Sequence, residues 1–172
     1  MKPGLLLVIL LLTVQVSAAS RDPQQYFFDQ TFGDFTEELE KAREQGKKGV
    51  LIMFEMDECP FCHRMKTTVL NQPEIQDYYK QHFLIFSVDI EGDIEITDFH
   101  GKQTTMKDFA FKEFRVRATP VFQFIDLDGN PIKRGRYTGA TKDSNEFLLL
   151  GKYIVGGIYK DSSFTRYKRQ HK

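Results

Sequence analysis

The chain has 172 residues, 41% hydrophobic and 13% aromatic, which is enough apolar surface for a single-domain core and disfavours disorder. Its 24 basic and 24 acidic side chains cancel, removing the basic excess that nucleic acid or an anionic membrane surface would need. Two cysteines cannot build a multi-bridge scaffold, and both fall in one short stretch, Cys59-Pro60-Phe61-Cys62.

Residues 1–18 read as a cleaved export signal. Lys2 supplies the positive start, residues 5–12 are an unbroken aliphatic run, and Val16-Ser17-Ala18 is the small-residue pattern expected at a cleavage site after Ala18. Thr13 and Gln15 cut the run short of the ~20 apolar residues a membrane span requires. Loss of Lys2 leaves 23 positive and 24 negative side chains, a net of −1. The last residues, Arg169-Gln170-His171-Lys172, are not an endoplasmic-reticulum retention signal. The expected location is therefore the periplasm, an oxidising space where a disulfide persists.

Residues 19–31 then form an N-terminal extension, 32–160 the main domain and 161–172 a polar, basic tail expected to be solvated. Phe27, Phe28, Phe32 and Phe35 are expected in core or edge packing. Residues 34–45 have helical spacing, with Phe35, Leu39 and Ala42 on one face and Gly46 as the stop. Residues 50–54 are a continuous apolar run suited to a strand buried on both sides. Helices follow at 62–70 and 73–81, the second opened by Pro73, and a second strand at 83–89. Residues 91–105 are polar and read as a looped excursion. A helix at 107–114, a strand at 121–126, the turn Asp128-Gly129-Asn130-Pro131, a returning strand at 132–137 and a helix at 145–159 complete the order. Strands alternating with helices and closing on a hairpin predict an α/β sheet with helices on both faces.

Cys59 and Cys62 lie where a buried strand ends and a helix begins. A helix N-terminus offers unpaired backbone N–H groups and partial positive charge, and both favour the reactive thiolate. Cys59 is expected at the exposed end and Cys62 inside the first turn, with Pro60 where no N–H is needed. The chemistry this predicts is exchange. One cysteine forms a mixed disulfide with a partner and the other resolves it.

These residues resemble the thioredoxin superfamily over residues 32–159. The resemblance is carried by Val50-Leu51-Ile52-Met53-Phe54, Cys59-Pro60-Phe61-Cys62 and Ala118-Thr119-Pro120-Val121-Phe122. It implies a thioredoxin fold, with a mixed central sheet, helices on both faces and an insertion around residues 91–105. It also implies a cis Thr119–Pro120 bond against the cysteines, with main chain that pairs with a substrate peptide. Met53-Phe54-Glu55, Met65 and Thr97-Asp98-Phe99 further look like the periplasmic SoxW-type thioredoxins associated with sulfur oxidation. That likeness implies exported cysteine-containing clients and a membrane electron donor of the DsbD or CcdA type; no nucleotide-binding glycine motif supplies electrons internally. The fold consumes nearly the whole mature chain, so a monomer is expected. No cofactor and no metal are expected either.

The chain also departs from the thioredoxin pattern. It has no Trp and places Glu58 before Cys59, where a negative charge opposes the thiolate. Met53 stands where thioredoxins bury an Asp that moves protons. Glu55, two residues along, is expected on the other strand face if the strand continues that far. Which of Glu55, Glu58 or water takes over is open, as is the influence of His63 and of the Pro60-Phe61 dipeptide on the cysteines.

Several other readings fit the same residues. Cys59, Cys62 and His63 satisfy the c-type haem attachment pattern, but the preceding strand and the later Thr119-Pro120 fit exchange better. Zinc would need more ligands, the nearest other histidines being His82 and His100, with no second cysteine pair. A purely structural disulfide over so small a loop would stabilise little. Asp89, Glu91, Asp93, Glu95 and Asp98 lack calcium-loop spacing. A noncovalent binding or chaperone module on the same fold is the alternative outside enzymes.

Overall fold

The computed structural model describes residues 19–171. The leader read at 1–18 lies outside them. No helix among the described residues is long and apolar enough to cross a membrane.

The elements run α1 (Pro23–Tyr26), α2 (Phe35–Glu44), β1 (Gly49–Glu55), α3 (Pro60–Thr68), α4 (Pro73–His82), β2 (Phe83–Asp89), β3 (Glu95–Thr97) and β4 (Gln103–Thr105). There follow α5 (Met106–Asp108), a π-helical turn (Phe109–Glu113), β5 (Val121–Ile125), β6 (Pro131–Thr138), α6 (Ser144–Val155), a 3-10 turn (Ile158–Lys160) and α7 (Phe164–Gln170). The central sheet has the order β2-β1-β5-β6. β1 is parallel to β2 and antiparallel to β5, and β5 is antiparallel to β6. This is the expected mixed sheet with helices on both faces.

The alternation of side chains along β1 divides the core. Leu51 and Met53 join Phe122 and Phe124 of β5 on one face, under Met65 of α3, Tyr79 of α4 and Phe147 of α6. Val50, Ile52 and Phe54 join Val121 and Ile125 on the other, under Phe35, Leu39 and Ala42 of α2 and Phe109 of the π turn. Both faces of β1 are buried from Gly49 through Phe54, which is why residues 50–54 carry no polar alternation. Gly49 opens the strand at a point where a Cβ would lie 2.0 Å from the Ile125 carbonyl oxygen, so no other residue fits. Asp34 caps α2 by accepting the N–H groups of Thr36 and Glu37, and the Thr36 hydroxyl bond chiefly holds its carboxyl below the usual range.

Four expectations change. Residues 91–105 are not loop only. They contain the β3–β4 hairpin, closed by the buried Asp98, whose Oδ1 accepts the N–H groups of His100 (2.8 Å) and Lys102 (2.9 Å). Phe99 stacks on Phe35 at 4.9 Å, so Thr97-Asp98-Phe99 is an anchoring turn. The tail is not simply solvated. It folds as α7, where Phe164 and Tyr167 pack on Tyr153 and Lys168 pairs with Glu146 at 2.7 Å. The helix expected at 145–159 stops at Val155, because Gly156-Gly157 turns the chain with Gly157 at φ 70°. Among the four N-terminal phenylalanines, Phe27, Phe28 and Phe35 are buried but Phe32 is fully exposed.

The N-terminal extension is part of the same packing unit. Asp29 accepts the Ile85 N–H and pairs with Lys80 at 2.7 Å, which seats Phe27 and Phe28 under the first cluster.

Candidate active site

Cys59 and Cys62 are joined, with an S–S distance of 2.13 Å and Cα atoms 5.2 Å apart. Cys59 is the N-cap of α3 in extended conformation (φ −120°, ψ 97°), and its Sγ accepts the Cys62 N–H at 3.0 Å. Pro60 takes the first helical position, where a missing N–H costs nothing.

The cap geometry corrects one expectation. Cys59 is not an exposed end: only 7% of it is accessible, and 2% of Cys62. Its side chain folds back over the helix start, while Pro60 and Phe61 turn outward, Phe61 being 60% exposed.

The sulfurs instead meet a cavity of about 160 Å³ lined by Glu55, Met56, Asp57, Cys59, Cys62, His63, Lys66 and Asp89. Glu58 is exposed and does not line it. His63 lies on the exposed side of α3 at the rim.

Glu55 is the second correction. The strand stays regular through Glu55, which pairs with Asp89 of β2. A period of two then puts Glu55 on the same face as Met53, toward the cysteines. Its Oε2 lies 2.6 Å from Lys66 Nζ, and its Oε1 accepts the Ser87 hydroxyl. Lys66 follows Cys62 by one helical turn, so cysteine, lysine and carboxylate share one wall.

Thr119–Pro120 is cis. Val121 faces Phe54 in the register, so Pro120 lies at the sheet end from which the cysteine loop departs. The Pro120 carbonyl accepts the Gly139 N–H at 2.8 Å, whereas among the described residues no backbone hydrogen bond engages Thr119. Arg64 ties α3 to the segment after β6 through the Thr141 carbonyl at 2.6 Å.

Sequence reasoning missed Asp57, Lys66, Ser87 and Asp89 as neighbours of the cysteines. The one-turn step from Cys62 could have found Lys66. Ser87 and Asp89 depend on the β1–β2 register, which no local pattern states. His82 and His100 do not join the site. His82 packs on Tyr78 at 4.8 Å at the end of α4, where burial and then Lys48 and Lys47 hold its pKa down. His100 sits in the hairpin turn.

The chain belongs to the thioredoxin-like domain family, whose model matches residues 35–154. It is a thioredoxin-like protein with a Cys-x-x-Cys pair at disulfide distance. Among solved structures it is similar to a thioredoxin-fold protein from Helicobacter pylori, at 24% identity and TM-score 0.59, covering 73% of this chain and 84% of that one. It is also similar to a thioredoxin from Thermus thermophilus, at 22% identity and TM-score 0.57, covering 76% and 88%. These likenesses are of fold. A search of curated proteins gives no match.

Proposed function

We propose that this protein is an exported thiol–disulfide oxidoreductase of the SoxW type. It acts in the periplasm as a reductant of cysteines in client proteins serving sulfur oxidation or cytochrome c maturation. The observation that carries this is the Cys59–Cys62 disulfide at the N-terminus of α3, with its sulfurs opening to a cavity. The leader pattern supports export. A membrane partner of the DsbD or CcdA type reduces the pair.

In the forward reaction the Cys59 thiolate attacks a client disulfide and forms a mixed disulfide, releasing one client thiolate. Cys62 then attacks Cys59 Sγ, the client's second thiolate leaves, and the Cys59–Cys62 bond re-forms. A client strand takes up the unpaired main chain at Thr119. Glu55 receives the proton that Cys62 must lose.

Charge supports this direction. Asp57 and Asp89 line the cavity on which the sulfurs open, and neighbouring carboxylates disfavour the thiolate state. A pair whose reduced form gains little from thiolate stabilisation has a low potential.

Insulin reduction tests the exchange. Cys59→Ser is expected to abolish it, and Cys62→Ser to accumulate mixed disulfides visible on non-reducing gels. Normal insulin reduction by Cys59→Ser would refute this function. Unchanged partner capture after replacement of both cysteines would point instead to the noncovalent module.

A further inference from the structure

The cavity at the disulfide carries a charge that the molecule as a whole does not. Glu55 and Lys66 neutralise each other at 2.6 Å. Beside the His63 imidazole at the rim, that leaves the carboxylates of Asp57 and Asp89, neither of which is in a salt bridge among the described residues. Asp57 is exposed; Asp89 is half-buried, and its Oδ1 accepts the Glu91 N–H at 2.9 Å. The full chain, by contrast, has 24 charges of each sign. Long-range steering is therefore weak, while a group that reaches the sulfurs through the cavity meets the carboxylates of its lining, whose field salt screens.

We propose that Asp57 and Asp89 select the thiol partners of the Cys59–Cys62 pair by charge. Segments with Lys or Arg beside the reacting cysteine are admitted, and segments with Asp or Glu there are held off. This selection rests on the exchange reading above. The reacting site is the disulfide, and the two carboxylates set what approaches it. The acidic wall comes from the β1–α3 turn and the end of β2, a different side of the pair from Thr119 and Pro120, neither of which lines the cavity. Charge discrimination and main-chain pairing thus act from separate walls.

The test measures reduction of the oxidised protein by three short peptides, Gly-Lys-Cys-Lys-Gly, Gly-Ser-Cys-Ser-Gly and Gly-Glu-Cys-Glu-Gly. A peptide thiolate attacks the protein disulfide, a mixed disulfide forms and one protein thiolate leaves. A second peptide thiolate then displaces the other protein sulfur. Two peptide thiols become one peptide disulfide, and the protein gains two thiols. Rates are expressed per thiolate and normalised to each peptide's rate with neutral 2-hydroxyethyl disulfide.

The lysine peptide is expected to react about tenfold faster than the glutamate peptide at low salt, with the serine peptide between them. The ratio is expected to fall to about twofold or less in ~1 M salt and in Asp57→Asn/Asp89→Asn, since Asn retains an oxygen for the Glu91 N–H. Asp57→Asn alone, at an exposed position, is expected to halve the ratio and covers the case in which the double variant fails to fold. Equal rates for the three peptides, or a ratio that survives Asp57→Asn, would overturn the selection while leaving exchange intact. Failure of all three peptides to reduce the protein would overturn exchange and the selection with it.

Discussion

Glu55 acts at the cysteines, and Tyr137 at the β6–α6 contact. Glu55 shares the cavity with both sulfurs and is held by Lys66 and Ser87. Glu55→Gln keeps the shape and an acceptor oxygen but removes the base. Insulin reduction is expected to slow about a hundredfold, with only a small change in thermal midpoint. Full activity in Glu55→Gln would assign the proton to water. Burial, then the charge of Glu146 at 3.1 Å, pushes the Tyr137 phenol up to about 12. An unfolded tyrosine ionises near 10. The stability Tyr137 contributes is therefore complete below about pH 10 and is lost as pH rises toward 12. Thermal midpoints measured from pH 9 to 12 should fall less steeply in Tyr137→Phe than in the unmodified protein. A residual fall belongs to the other phenols that burial raises, Tyr79, Tyr78 and Tyr153. Glu146 works the other way. Burial opposes its ionisation, but the Lys168, Lys142 N–H and Tyr137 bonds prevail and lower its pKa. Its contribution is present above the ordinary carboxylate range and disappears as pH falls through the lowered value.

Helix contacts explain where element reading succeeded and where it failed. α2, β1, α4 and β2 were legible because apolar period and caps agree locally: Gly46 after α2, Pro73 opening α4 and unbroken apolar runs in both strands. α7 was not, because its sequence is largely polar and its order comes from Phe164 and Tyr167 against Tyr153. Truncation after Lys160 is expected to cost about 2 kcal/mol in urea denaturation, the scale of burying two partly covered aromatics. Gly151 shows the same dependence on a neighbour. Helix propensity alone favours alanine there by about 1 kcal/mol. A Cβ, however, would meet Tyr79 ring atoms at 3.0 Å and Tyr78 at 2.9 Å across the α4–α6 contact. Tyr79 is fully buried, and its ring stacks on Phe147 at 4.5 Å. Gly151→Ala is therefore expected to destabilise by about 1–2 kcal/mol in the same assay.

At the scale of the molecule the sheet brings two distant segments to the cysteines. β5 delivers Thr119-Pro120 and β2 delivers Asp89, from opposite sides of β1. The carboxylates on the β2 side predict a reducing pair. Equilibration with glutathione or dithiothreitol should give a potential closer to about −270 mV than to about −120 mV. A value near the upper figure would reverse the proposed direction.

The amino-acid sequence by itself determined the fold class, the reactive pair and its place at a helix start, because these rest on local period, capping and spacing. It determined the departure at Met53 as well, but not what stands in for the missing acid. Only the tertiary structure decided that Glu55 faces the cysteines, that Cys59 is covered, and that Asp89 and Lys66 share their cavity. Strand register, side-chain packing and the folding back of a cap are cooperative outcomes of the whole chain. Because β1 stays regular through Glu55, the period of two keeps that carboxylate on the Met53 face.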